Sequence, residues 1–144
     1  MARARGPSIT YVIGRVDQGV RREMRARLAP FGLSVPEYTA LSILDRVPGL
    51  SNAQLARRSL ITPPAMLEVL ASLERRGLVE RHNDPGHGRI RRAELTEEGA
   101  RTLRASARDI NRLSAELLAA IPAGERETVR RGLVAVMDRL TSGF

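Results

Sequence analysis

The sequence predicts a mostly α-helical protein with one small β-hairpin wing: a winged helix-turn-helix core between long N- and C-terminal dimerisation helices. Three observations lead there. Residues 51–76 read as two short capped helices separated by a turn. An Arg-rich hairpin follows at once, and helix-turn-helix plus basic hairpin suits a DNA groove and its flanking phosphates. Long amphipathic stretches lie on either side. The simplest organisation is a single domain over residues 1–144, with the core at 34–96 and the dimerisation helices at 8–30 and 97–141. A chain of this length buries roughly 70% of its unfolded surface.

Each element has its own signal. Ile9, Val12, Ile13, Val16, Val20, Met24 and Leu28 recur at three- and four-residue steps, so 8–29 reads as one amphipathic helix. Gly14 and Gly19 weaken it by about 1 kcal/mol each relative to Ala, which close approach of another helix would explain. Pro30 and Gly32 end it. Ser34-Val-Pro-Glu37 is a capping box, in which the Ser oxygen and the Glu carboxylate satisfy each other's backbone amides. It opens a helix to about Arg46, broken at Pro48-Gly49.

Ser51-Asn-Ala-Gln54 is a second capping box, opening a helix to about Ser59. Thr62 caps a further helix with Pro63 and Pro64 in its first turn, where missing amide donors cost little. That helix runs to Arg76 and stops at Gly77. Leu78–His82 and Arg89–Leu95 are strand candidates around the turn signal Asn83-Asp-Pro-Gly86. Thr96-Glu-Glu starts a helix to about Ala120, with acids at its positive end. Pro122 starts the last, carrying Val129, Leu133, Val136, Met137 and Leu140. The terminal helices hold more apolar surface than the core can cover, so interlocking with a second copy is the economical arrangement; folding back on one core is the alternative.

The formal net charge of +8 comes entirely from arginine, since the chain has 24 Arg and no Lys. Residues 1–30 hold seven Arg against two acids, and Arg81, Arg89, Arg91 and Arg92 face only Asp84 between 81 and 92. The planar five-donor guanidinium matches phosphates and guanine edges better than an ammonium does. With no Cys there is no disulfide framework, thiolate metal site or thiol sensor. No apolar run reaches the ~18 residues of a membrane span and no signal region opens the chain, so a cytoplasmic protein is expected.

In the helix from Thr62, Met66, Val69, Leu70 and Leu73 form the buried stripe. The opposite face presents Pro64, Ala65, Leu67, Glu68, Ala71, Ser72 and Arg75. Small residues at the helix start admit bases of the major groove, and Leu67 suits a thymine methyl. In the hairpin, alternation puts Arg89 and Arg91 on one face and Arg92 on the other. Arg89, nearest the tip, is the candidate for minor-groove insertion, and the others for phosphates. The expected DNA-contacting set is therefore Arg57, Thr62, Pro64, Ala65, Leu67, Glu68, Ser72, Arg75, His87, Arg89 and Arg91, with Arg58 a weaker phosphate candidate.

The run LARRSLITPPA, then LERRGLVER, then Asp84-Pro85, and Arg89 separated by five residues from LTEEG resembles the MarR family of bacterial transcriptional regulators. The outer helices follow the same plan, so the resemblance covers nearly the whole chain. It implies a homodimer on a pseudo-palindromic operator, acting as a repressor. It also implies a small anionic or aromatic ligand between the dimerisation helices and the core, for which Tyr11, Arg15 and Tyr38 are the candidate residues. Three departures stand out. His87 occupies the position of a wing Asp that orients arginines in the family. Glu68 replaces an Arg or small polar residue; its carboxylate repels phosphates and can accept from cytosine N4. Gly86 and Gly88 loosen the tip.

Enzymatic readings fare poorly. His82, Asp84 and His87 have metal-ligand spacing, but three ligands on a turn make a poor cage. There is no Gly-rich phosphate loop, no G-x-S-x-G and no Cys nucleophile. No catalytic residue, metal or cofactor is expected. The alternatives left open are a winged-helix interaction module without specific DNA binding, which Glu68 favours, and a sequence-tolerant architectural protein.

Overall fold

The computed structural model describes residues 6–141. Its first helix, α1 (Ile9–Leu28), begins where the Ser8 hydroxyl accepts the Tyr11 amide at 3.2 Å. A single 3-10 turn (Ala29–Phe31) and Gly32, at φ 64°, redirect the chain into α2 (Val35–Arg46). The α2 capping box is complete, with Ser34 and Glu37 each bonding the other's amide. Strand β1 (Leu50–Ser51) precedes α3 (Asn52–Ser59), whose Ser51–Gln54 capping box is likewise closed. Helix α4 (Pro63–Arg75) starts from the Thr62 cap and ends before Gly77, at φ 69°. Strands β2 (Val79–Asp84) and β3 (His87–Leu95) form the wing, followed by α5 (Glu97–Ala119) and α6 (Arg126–Thr141).

The sheet is antiparallel in the order β1-β3-β2, with Ser51 opposite Arg92 and Arg81 opposite Ala93. The sequence reading anticipated only two strands: β1 is two residues long and its Ser51 doubles as a helix cap, so no alternation betrays it. The wing is also longer than expected. Asn83 and Asp84 belong to β2, His87 and Gly88 to β3, and the turn shrinks to Pro85-Gly86. The register shifts between Asn83 and Asp84. Pro122 leads into a 3-10 turn (Ala123–Glu125), and α6 proper starts at Arg126.

The chain forms two units, one through Ile110 and one from Asn111. In the first, Leu28, Leu41, Leu44, Leu55, Met66, Leu70, Leu73, Val79 and Ala93 make one buried cluster. Burial of each Leu or Met contributes about 1.5–3 kcal/mol. Met66, Leu70 and Leu73 are the inner stripe of α4 that the three- and four-residue spacing predicts, with Val69 at its edge. Among the described residues, a Cβ on Gly14 or Gly19 would meet nothing within 4 Å.

Gly99 is different. A Cβ there would overlap the Leu78 carbonyl, which already accepts the Thr96 amide at 3.1 Å. The Thr96 hydroxyl bonds the Gly77 carbonyl at 2.6 Å and takes the Gly99 amide at 3.0 Å. The TEEG sequence thereby joins the start of α5 to the foot of β2.

Ile9, Val12 and Val16 on α1 are exposed. In the second unit, α6 exposes Val129, Leu133, Val136, Met137 and Leu140, a stripe at helical spacing. Among the described residues no helix is long and apolar enough to cross a membrane.

Candidate nucleic-acid interface

Helices α3 and α4 are joined by Leu60, Ile61 and Thr62, and this turn sets how α4 is presented. Leu60 caps α3 in the left-handed region (φ 57°, ψ 38°), where a Cβ is strained. Asn52 on α3 ties the two helix starts together, donating to the Pro63 carbonyl at 3.0 Å. With Met66, Leu70 and Leu73 buried, α4 turns Pro64, Leu67, Glu68 and Arg75 outward, with Ala65 and Ala71 half-covered. Thr62 lies exposed at the helix start and Arg57 on the flank of α3.

Ser72 departs from expectation. It is half-buried, and its hydroxyl donates to Glu37 on α2 at 2.8 Å. Its proton braces α4 internally instead of being free for a base edge.

The wing continues the core outward. Val79 and Ala93 are buried, and the next residues along the same sheet face are Arg81, Arg91 and Arg89. These three arginines, with Ile90, face Leu67 and Leu70 of α4 and Ser51–Ala53 across a groove of about 390 Å³. Arg81 Nε is 2.6 Å from the Glu74 carboxylate, and Arg91 reaches its other oxygen at 3.9 Å. The Arg81 hydrogen bond is the chief reason the Glu74 carboxyl is held below its usual value, against a partial opposing effect of burial. Arg89 makes no such pairing among the described residues.

On the opposite wing face, Arg92 donates to Asp84 at 3.0 and 2.7 Å and to the Gly49 carbonyl at 3.0 Å. The Asp84 carboxylate also accepts the Gly86 amide at 2.9 Å. That backbone bond, then Arg92, lowers the Asp84 pKa. The tip is therefore not left without an orienting acid where His87 stands: Asp84, three residues earlier, binds both the turn and a wing arginine. His87 itself is exposed opposite Asp84.

None of the three ligand candidates lines the cleft between α1 and α2. Tyr11 and Arg15 are exposed on α1, while Tyr38 packs against the core. The cleft is lined by Asp17, Val20, Arg21 and Met24 of α1, Val35, Pro36 and Thr39 of α2, and Ser59, Leu60 and Ile61. Sequence reasoning missed these residues because most lie on helix flanks that periodicity assigns to packing or solvent. The Ser59 hydroxyl in this cleft is buried without a hydrogen-bond partner among the described residues.

Comparison with known proteins gives a consistent picture. A model of the MarR family matches residues 31–90. The HTH-type transcriptional repressor Rv2887 of Mycobacterium tuberculosis is 37% identical over 123 residues, covering 85% of this chain and 88% of the relative. The crystal structure of that mycobacterial MarR family protein with DNA superposes at a TM-score of 0.75, with 33% identity, over 91% of this chain and 98% of the other. Its complex with salicylic acid superposes at 0.73, with 34% identity, over 93% and 99%.

Proposed function

This chain belongs to the MarR family of transcriptional regulators, and from that membership we propose that it represses transcription from a pseudo-palindromic operator as a homodimer and is released by a small ligand. The observation that carries the DNA reading is the pairing of α4's outward face with an arginine-lined groove under the wing. The core at 34–96 supplies that surface. Helix α4 enters the major groove, with Thr62, Pro64, Ala65, Leu67, Glu68 and Arg75 at base edges or the flanking backbone. Arg89 enters the adjacent minor groove, and Arg57, His87 and Arg91 meet phosphate.

The helices at 8–30 and 97–141 form the dimer. The support is their own surface: apolar stripes on α1 and on α6 are left in water, which a second copy would cover. Two such cores place their half-sites about one helical turn, ~10 bp, apart. The protein acts in the cytoplasm, as a regulator without catalytic function.

For the ligand, the α1–α2 cleft is lined by Val20, Met24, Val35 and Pro36 together with Arg21, which is paired with Asp17 at 3.0 Å, and is suited to a small aromatic acid of the kind seen with the mycobacterial relative. Tyr11, Arg15 and Tyr38 belong to the same two helices and are proposed to contribute.

The test is selection of bound duplexes from a randomised pool at about 150 mM salt, where nonspecific attraction is screened. A recovered palindrome is the expected result. Recovery of no motif by folded, dimeric protein would overturn the operator reading and favour an interaction module.

A further inference from the structure

The three arginines of the groove are chemically alike but not equally available. Arg81 is bonded to Glu74 and its side chain is only 15% exposed. Arg91 leans on the same carboxylate and donates to the Arg81 carbonyl at 3.4 Å. Only Arg89 stands without a protein partner among the described residues. Glu74 itself lies in the last turn of α4, the negative end of the helix dipole, where an acid gains nothing from the helix. It also sits beside the surface that faces phosphates, where a carboxylate opposes binding. Its position makes sense through the arginines it holds.

We propose that Glu74 is a specificity-determining positioning residue: it withholds Arg81 from the DNA backbone and orients Arg91, leaving Arg89 as the one free guanidinium in the groove. The need for restraint comes from composition. A chain of net charge +8, all of it arginine, attracts any duplex, because sequence-independent affinity grows with each phosphate neutralised. Specificity is a ratio between operator and other DNA, and it falls when the second term grows. A carboxylate under the wing trims that term without removing the arginine that lines the groove with Leu70.

This inference rests on the DNA-binding reading above. The experiment compares wild type, Glu74→Gln and the double variant Glu74→Gln/Arg81→Gln on one mixed-sequence duplex, by fluorescence anisotropy from about 50 to 200 mM salt. Glu74→Gln is expected to bind this nonspecific DNA about threefold or more tighter, with a salt dependence steeper by about one phosphate per bound protomer. The double variant is expected to lose that added slope. A merely structural role for Glu74 would loosen the wing and weaken binding without steepening the slope, and that result overturns the proposal. So does a slope gain that survives loss of Arg81. Where the Gln variant does not fold, Glu74→Ala, favoured in a helix, reads the same quantity. Wild type that binds no duplex in a salt-dependent way would instead defeat the DNA reading itself.

Discussion

Ser72 on α4 donates its hydroxyl proton to Glu37 on α2 at 2.8 Å, across 35 residues of sequence. The other Glu37 oxygen accepts the Ser34 amide at 2.9 Å, closing the α2 capping box. Arg76, just past α4, lies 3.5 Å from that oxygen and donates to the Gly32 and Phe31 carbonyls at 2.8 and 3.1 Å. One carboxylate thus caps one helix and locates another. Glu37→Ala should destabilise the protein by about 2 kcal/mol, combining a lost cap with an unsatisfied half-buried Ser72 hydroxyl. Glu37→Gln, which keeps acceptor and shape, should cost less than half as much. Equal urea midpoints for wild type and the Ala variant would show that the brace carries no weight.

Arg89→Ala should weaken DNA binding without affecting the melting temperature, since the side chain has no protein partner among the described residues. If Arg89 meets phosphate, the salt slope falls by about 1 per half-site; if it enters the minor groove, A·T preference relaxes. Titrations of a selected duplex across salt concentrations measure both. Unchanged affinity and slope would remove Arg89 from the interface.

Gly99→Ala should cost about 3 kcal/mol, because the new methyl group overlaps backbone, the Leu78 carbonyl, instead of a side chain that can swing away. Gly14→Ala, with open space around its Cβ position in the chain, should stabilise α1 by up to about 1 kcal/mol. Thermal melts of the two variants in parallel decide it: a similar melting temperature for both would contradict the contact.

Acid should loosen the wing. Glu74 and Asp84 are each more acidic folded than unfolded, through Arg81 for the first and through the Gly86 amide and Arg92 for the second. The folded state therefore binds fewer protons, and this stability is fully present above about pH 5, then lost as pH falls through the folded values. Amide chemical shifts of residues 79–95, followed from neutral pH to about pH 2, should hold through the ordinary carboxylate range near about pH 4 and move only on its acid side. In Glu74→Gln/Asp84→Asn the wing-specific change should vanish. Its persistence would mean other groups control the wing.

Leu60→Gly should stabilise the protein by about 1 kcal/mol. The left-handed conformation strains a leucine by about 1–2 kcal/mol, partly offset by the greater unfolded-state freedom of glycine. At 77% exposure Leu60 has little burial to lose. A lower melting temperature would show that Leu60 makes a contact beyond the single chain.

Much of this fold is written in short-range signals. Both capping boxes, the Thr62 cap, the proline start of α4 and the glycine after it appear where the residue types demand. The stripe Met66, Leu70, Leu73 correctly identified the inner face of α4, and with it the face turned outward. Alternation placed Arg89 and Arg91 together and Arg92 opposite. The relations that tune the surface were not legible. Nothing in Glu74 marks it as the partner of Arg81, nor in Asp84 as the holder of Arg92, nor in Ser72 as a brace instead of a free donor.

By itself the sequence determined the helices and the two wing strands, their order, the buried face of α4 and the basic character of the wing, because caps and periodicity act over one or two turns of local chain. Only the tertiary structure decided which arginine is free. That depends on which carboxylates packing brings within about 3–4 Å, where ion pairing becomes strong. Arg81 and Glu74 are seven residues apart on different elements, and Arg92 reaches Gly49 across 43. Such distances are set by how α4 and the sheet share one core, and the identities of the residues alone do not contain them.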